Sequence, residues 1–249
     1  MYHKRAAPSP AFDRRETTAV PGSARRPANG GASPAEARVK PAYWDAAVAH
    51  IGARDPVLRG LIATFPGVHL TRRGDAFTTL ARAIVGQQIS VKAAQSIWNR
   101  LVAVAHGTGD PVALPPLRLS RMRTPTLRRA GLSERKAEYL RDLARHFVTG
   151  RLDPADWPAM DDEALIVALT DVKGIGRWTA EMFLMFHELR ADILPVDDIG
   201  LQNAMARHYF DGTRPAVAQM RAHAERWQPF RSVATWYLWR SLDPIPVEY

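Results

Sequence analysis

The sequence predicts an all-α protein of about ten helices arranged in two lobes, and three observations carry that prediction. No stretch of useful length alternates apolar and polar residues in the way of a half-buried strand. Apolar residues recur instead at helical spacing, as in Phe77, Leu80, Ala81 and Ile84 or Ala137, Leu140, Leu143, Ala144 and Phe147. Several of these stripes follow residues suited to capping a helix, namely Asp75, Ser90 and Ser133.

A chain of 249 residues with 46% hydrophobic residues can bury a sizeable core, as one large domain or as two lobes. It has no cysteine, which excludes disulfides, thiolate metal sites and a four-cysteine iron–sulfur cluster. No apolar run approaches the roughly 20 residues of a membrane span, and no signal-peptide core opens the chain, so an intracellular protein without a membrane partner is expected. The formal net charge of +9 favours a polyanionic partner. Eight basic residues against three acids fall within residues 1–40, a segment of Pro, Ala, Gly, Ser and Arg with few large aliphatics. It cannot bury enough surface to offset its ordering entropy and reads as a disordered basic tail ahead of a folded domain over 41–249. Its composition also fits a transit peptide, though no sustained amphipathic helix accompanies it.

Tyr43 to Ile51 and Pro56 to Ala63 read as two short helices with no chemistry of their own. Asp75 caps a helix that Gly86 ends, and Ser90 caps the next, whose stripe is Val91, Ala94, Ile97, Trp98 and Leu101. Between them Gln87-Gln88-Ile89 is a polar connection. Thr108 to Pro116 is a Gly/Pro loop, Ser120 to Ala130 is basic and helical in part, and Ser133 caps a further helix. That helix carries Arg135, Lys136, Arg141 and Arg145 opposite its apolar stripe, a face that reads as solvated rather than as a second contact for a polyanion. Leu152 to Pro158 is a connector. Asp161, Asp162 and Glu163 then suit a helix N-terminus, and Leu165, Ile166 and Leu169 continue a helix that stops at Asp171. A second helix spans Arg177 to His187, and Asp197-Asp198 opens a third. Pro215 to Trp227 is helical, and Trp227-Gln-Pro-Phe leads into a final helix holding Trp236, Tyr237 and Trp239.

Between the first two of these later helices lies Val172-Lys173-Gly174-Ile175-Gly176. Two residues without Cβ let the backbone turn tightly and bring its amides within reach of an external oxygen. A dinucleotide fingerprint would need a preceding strand and a third glycine, and a P-loop would end in Gly-Lys-Ser/Thr. Helix before and helix after make it a helix-hairpin-helix. Turn amides and a helix N-terminus, with Lys173 and Arg177 beside them, make a sequence-independent grip on a DNA phosphate. A plain tight αα-corner is the alternative for a bare Gly-x-Gly. An acid for chemistry is offered by Asp197 or Asp198, each of which reads equally as a helix cap.

Leu169 to Phe183 (LTDVKGIGRWTAEMF), followed by Leu194 to Ala204 (LPVDDIGLQNA), resembles the helix-hairpin-helix, Gly/Pro-rich loop and Asp signature of the DNA base-excision glycosylases. The likeness is to their alkylbase branch, the 3-methyladenine DNA glycosylase II type. It extends through AIVGQQISVKAA, GLSERKAEYLRDLA and RWQPFRSVATWYLW, from about Tyr43 to Trp239. The resemblance implies a two-lobed helical fold with a cleft between the lobes and a monofunctional enzyme. Such an enzyme flips alkylated purines out of double-stranded DNA and hydrolyses the N-glycosidic bond, initiating base-excision repair.

It assigns catalysis to Asp198 and a structural role to Asp197. Trp178 stands where bifunctional relatives carry a Schiff-base lysine, so no lyase chemistry is expected. It becomes a pocket wall with Trp239, and Met182 stands where the family often has Tyr. An electron-rich indole attracts a cationic base by roughly 0.5–2 kcal/mol beyond contact area. Phosphate contacts are implied at Lys173, Gly174, Gly176 and Thr179. Gln87 and Gln88 correspond to the loop that fills the space left by the flipped base, where close relatives carry Leu at the position of Gln88. No cofactor and no catalytic metal are expected, since the histidines show no ligand spacing. A monovalent cation on the carbonyls of Thr170, Val172 and Ile175 is an option the resemblance adds, and a monomer is expected. Two rival readings stay open, a non-catalytic helix-hairpin-helix DNA-binding protein and a glycosylase for deaminated or oxidised bases.

Overall fold

The computed structural model describes residues 40–72, 74–106 and 114–242. The basic segment thus lies outside the described residues except for Lys40, and so does most of the Gly/Pro loop before Pro116. The helices are α1 (Trp44–Arg54), α2 (Pro56–Thr64), α3 (Ala76–Gly86), α4 (Val91–His106), α5 (Pro116–Arg121), α6 (Thr124–Arg129), α7 (Glu134–Val148), α8 (Asp162–Thr170), α9 (Arg177–Phe186), α10 (Ile199–Tyr209), α11 (Val217–Ala224) and α12 (Arg231–Leu242). Among the described residues there is no strand, and no helix is long and apolar enough to cross a membrane.

The predicted caps form. Asp75 accepts from the Thr78 amide at 2.9 Å, Ser133 from Lys136 at 3.2 Å and Ser90 from Ala93 at 3.3 Å. The stretch from Pro116 differs from expectation. Pro116 opens α5 instead of closing a loop, because a proline in the first turn loses no helical hydrogen bond. The basic run from Ser120 to Ala130 is helical in part, as expected, holding the end of α5 and the whole of α6. Pro125, in the first turn of α6, cannot continue a helix from upstream, and the chain is extended at Met122 and Arg123.

Two hydrophobic cores form. The first gathers residues of α3 to α9 around Trp157, which meets Phe147 and Phe183 edge-to-face at 6.2 and 5.5 Å. The second gathers α1, α2 and α10 to α12, with Trp44 edge-on to Trp236 at 5.5 Å. In that core Asp55 caps α2 by accepting from the Val57 and Leu58 amides on Oδ1, while Oδ2 accepts from the Tyr209 hydroxyl and the Trp227 indole. Four donors offset the cost of burying this carboxylate. The described residues begin in the second core with α1 and α2, pass to the first for α3 to α9, and return with α10. Phe186, the last residue of α9, packs against both cores. Asp198 stands at the start of the returning segment.

Candidate active site and nucleic-acid interface

Helices α8 and α9 are joined by the predicted hairpin. Asp161 caps α8 through the Ala164 amide at 2.7 Å, adding a cap to the expected acidic first turn. Gly174 has φ +86°, and a Cβ there would lie 2.2 Å from Tyr139 Cδ2, so both conformation and space require glycine. Gly176 differs, since a Cβ on it would meet nothing within 4 Å. Two turn amides are engaged internally, Lys173 to Asp142 Oδ2 at 3.0 Å and Ile175 to the Val172 carbonyl at 3.1 Å. The amides of Gly174 and Gly176 make no hydrogen bond among the described residues, and Lys173 and Gly176 are exposed. Burial by itself would push the Asp142 carboxyl up, but the Lys173 amide, Arg145 and His146 more than offset it and hold it below its usual range.

Arg177 does not join Lys173 as a phosphate ligand. Its guanidinium holds Glu163 in a fork at 2.7 Å for both contacts, and its Nε donates to Glu181 at 3.0 Å. The fork ties α8 to α9, draws the Glu163 pKa down and raises that of Arg177. The Arg177–Glu181 spacing of i, i+4 was a readable signal for this pairing. Thr179 is only 9% exposed, so what it can offer a phosphate is its first-turn amide.

The Gln87 loop lies against the hairpin. Gln87 Nε2 donates to the Gly174 carbonyl at 2.8 Å, and Gln88, with φ +58°, is exposed. The expectation that Lys136 belongs to a solvated face is overturned. Its Nζ donates to the carbonyls of Val85 and Gln87 at 2.7 and 2.6 Å, and partial burial lowers its pKa. Lys136, Tyr139 and Asp142 were missed as site residues. Periodicity shows which face of α7 is apolar but not what packs on the other.

Asp198 joins the predicted wall. Its Oδ1 accepts from the Leu201 amide at 2.7 Å, capping α10, and from the Trp239 indole at 2.8 Å, while Oδ2 accepts from the Trp178 indole at 2.9 Å. Trp239 stacks on Phe186 at 5.8 Å with planes 12° apart. A Cβ at Gly200 would sit 3.0 Å from Asp198 Oδ1 and 3.1 Å from the Trp239 ring, so this glycine admits the close approach. Asp198 is 9% exposed, whereas Trp178 is 40% exposed. Met182, one turn beyond Trp178, is half-buried and packs against the first core. The division of labour expected between the two acids is corrected. The capping role falls on Asp198 itself, and Asp197 is exposed with no hydrogen bond among the described residues.

Three N–H donors fix the plane of the Asp198 carboxylate. Oδ1 carries two of them and Oδ2 one, so Oδ2 keeps acceptor capacity on the side of the exposed indole. Such an oxygen can face a positive charge developing on a group brought against Trp178. Among the described residues no group of three or more His, Asp or Glu could hold a metal ion.

Residues 81–229 match the family model described as HhH-GPD superfamily base excision DNA repair protein. DNA-3-methyladenine glycosylase 1 of Schizosaccharomyces pombe is 33% identical over 168 residues, covering 67% of this chain and 72% of that protein. DNA-3-methyladenine glycosylase 2 of Escherichia coli is 34% identical over 183 residues, covering 71% of this chain and 61% of that protein. The crystal structure of a DNA-3-methyladenine glycosidase from Bacillus halodurans superposes with a TM-score of 0.73 at 36% identity, over 79% of this chain and 89% of that one. The matched residues run from α3 to the turn before α12 and so include the Gln87 loop, the hairpin and Asp198. Motif, fold and matched span agree, and the chain belongs to the HhH-GPD superfamily of base excision DNA repair proteins.

Proposed function

We propose that this protein is a monofunctional DNA glycosylase that releases alkylated purines from duplex DNA and leaves an abasic site. The observation that carries the reading is a carboxylate, Asp198, fixed by two indole N–H groups, of which one belongs to a tryptophan open to solvent. The names of the relatives support the alkylpurine class. The S. pombe 3-methyladenine DNA glycosylase solved in complex with abasic DNA supports a DNA partner and an abasic product; it superposes with a TM-score of 0.67 at 29% identity, over 81% of this chain and all of that one.

The chemistry follows from the parts. The N-glycosidic bond breaks through an oxocarbenium-like sugar, so the base must first leave the stack. The hairpin grips a phosphate through the amides of Gly174 and Gly176 with Lys173 alongside, and the Gln88 loop fills the vacated space. The extruded base lies against Trp178 and Met182, with Trp239 completing the wall. The Asp198 carboxylate then stabilises positive charge at C1′ and orients the water on the far face of the sugar. One preorganised group of this kind is worth about 3 kcal/mol. Trp178 has no amine with which to form a Schiff base, so the strand stays intact. A monovalent cation on the carbonyls of Thr170, Val172 and Ile175 would strengthen the phosphate grip. The protein acts as a monomer on double-stranded DNA, and the basic segment over residues 1–40 adds non-specific affinity.

Methylated duplex DNA incubated with the protein tests this reading. Chromatography should find free 3-methyladenine and 7-methylguanine, the strand should break only after alkali, and borohydride should trap no stoichiometric covalent adduct. Release of only deaminated or oxidised bases would transfer the protein to that class of glycosylase. Tight binding with no base released would make it a binding module.

A further inference from the structure

One face of α7 touches both of the DNA-facing loops. Lys136 Nζ holds the Val85 and Gln87 carbonyls at 2.7 and 2.6 Å, at the end of α3 and the start of the loop. One turn on, the Tyr139 ring lies directly beneath Gly174 of the hairpin. Another turn on, Asp142 accepts the Lys173 amide at 3.0 Å, and His146 reaches Asp171 at 3.1 Å. These four residues follow the three- and four-residue spacing of a single helical stripe. Gln87 closes the arrangement by donating to the Gly174 carbonyl at 2.8 Å.

The ammonium of Lys136 is spent on backbone carbonyls. Its stem is partly buried, and its place is below a loop whose next residue, Gln88, sits at φ +58°, a conformation that L side chains adopt only when their surroundings hold it. Two contacts to successive parts of the α3 end and the loop fix where Gln88 leaves the protein. The Gln87 bond fixes that exit relative to the phosphate-gripping turn.

We infer that Lys136 is a positioning residue, which with Tyr139 and Asp142 sets the register between the Gln88 insertion loop and the hairpin. Base extrusion from a paired duplex is then the step that depends on it. The inference rests on the insertion role proposed above for the Gln88 loop. A phosphate grip and an insertion loop act on one DNA segment, so a displacement of about 1 Å between them is costly for extrusion in the way that misplaced reactants are for chemistry. Where the partner base is missing, little unpairing remains for the loop to sustain.

The test compares excision of hypoxanthine placed opposite thymine with excision of hypoxanthine placed opposite a tetrahydrofuran abasic analogue. Lys136→Met keeps the stem and removes the donors. It should lower single-turnover excision from the paired duplex by about tenfold or more, while excision opposite the analogue changes by less than about threefold. The thermal midpoint of the variant is measured alongside. If Lys136→Met fails to fold, Lys136→Gln, whose shorter neutral amide cannot hold both carbonyls, should show the same selective loss. An equal fall on both duplexes, or none on either, would overturn the positioning role while leaving the glycosylase reading in place. A wild-type protein that excises no base from any substrate would overturn both.

Discussion

Asp55 and Asp198 are built from the same parts and differ in what can reach them. Each caps a helix through Oδ1 and each accepts a tryptophan indole on Oδ2. The Asp55 corner is sealed, since the carboxylate is 1% exposed and its partner Trp227 is fully buried. The Asp198 corner opens on one side through Trp178, which is 40% exposed. A buried capping aspartate surrounded by aromatic donors is therefore no sign of chemistry by itself. Access to the carboxylate is what separates the sealed corner from the one proposed above for chemistry.

Substitutions at the two acids should separate stability from chemistry. Asp55→Ala leaves the Tyr209 hydroxyl, the Trp227 indole and two amides without their acceptor. Urea unfolding should show a loss of about 3 kcal/mol or more, since each buried orphan costs about 1–3 kcal/mol. Asp198→Asn retains the cap on Oδ1 but turns its amide nitrogen toward the half-exposed Trp178 indole, so its stability should fall by about 1–2 kcal/mol, less than for Asp55→Ala. Its excision of hypoxanthine, a neutral leaving group, should fall by at least roughly 10²-fold, the effect of deleting one preorganised electrostatic group. Excision of 7-methylguanine, already cationic, should fall less. Full activity in folded Asp198→Asn would remove the distinction drawn between the two corners.

The hairpin glycines sharpen the same contrast between what the protein requires and what its ligand requires. Gly174→Ala meets both a positive φ and the Tyr139 ring, so calorimetry should register about 1–3 kcal/mol of lost stability. Gly176 is extended and unencumbered, and Gly176→Ala should leave the thermal midpoint unchanged. Affinity for damaged and undamaged duplex alike should drop roughly tenfold, about the 1.4 kcal/mol of one hydrogen bond to a charged acceptor. A change in base preference at unchanged affinity would contradict a phosphate role for this turn.

The smallest effect is expected at Gly200. Alanine gains about 0.5–1 kcal/mol of helix preference but crowds Asp198 Oδ1 at 3.0 Å. Stability should change by less than about 1 kcal/mol, and excision should slow by about fivefold, equivalent to ~1 kcal/mol on the barrier. Unaltered kinetics in Gly200→Ala would mean that the Asp198–Trp239 contact tolerates displacement.

Much of this was legible in the sequence because it is local. Helical spacing, the caps and the Gly-x-Gly turn depend on neighbours within a few positions, and the family resemblance those motifs carry put Trp178, Asp198 and Trp239 forward together. What stayed hidden depends on packing between distant segments. Lys136 sits on the polar side of a stripe, and nothing in its surroundings along the chain announces the carbonyls of Val85 and Gln87. Arg177 stands next to Gly176 in sequence, yet its guanidinium turns to Glu163, fourteen positions back. The start of α5 was readable from Pro116 as a first-turn proline, a signal that the surrounding Gly/Pro composition masked. The resemblance put Asp198 ahead of Asp197, but that Asp198 is itself the helix cap and the acid both indoles meet is visible only in the fold.

Equilibrium binding to two abasic-site mimics, one carrying a cationic nitrogen in the sugar ring and one neutral, tests most directly whether Asp198 supplies charge to the reacting sugar. The wild-type protein should prefer the cationic mimic, and Asp198→Asn should keep its affinity for the neutral mimic while losing that preference. An undiminished preference for the cationic mimic in folded Asp198→Asn would contradict the account.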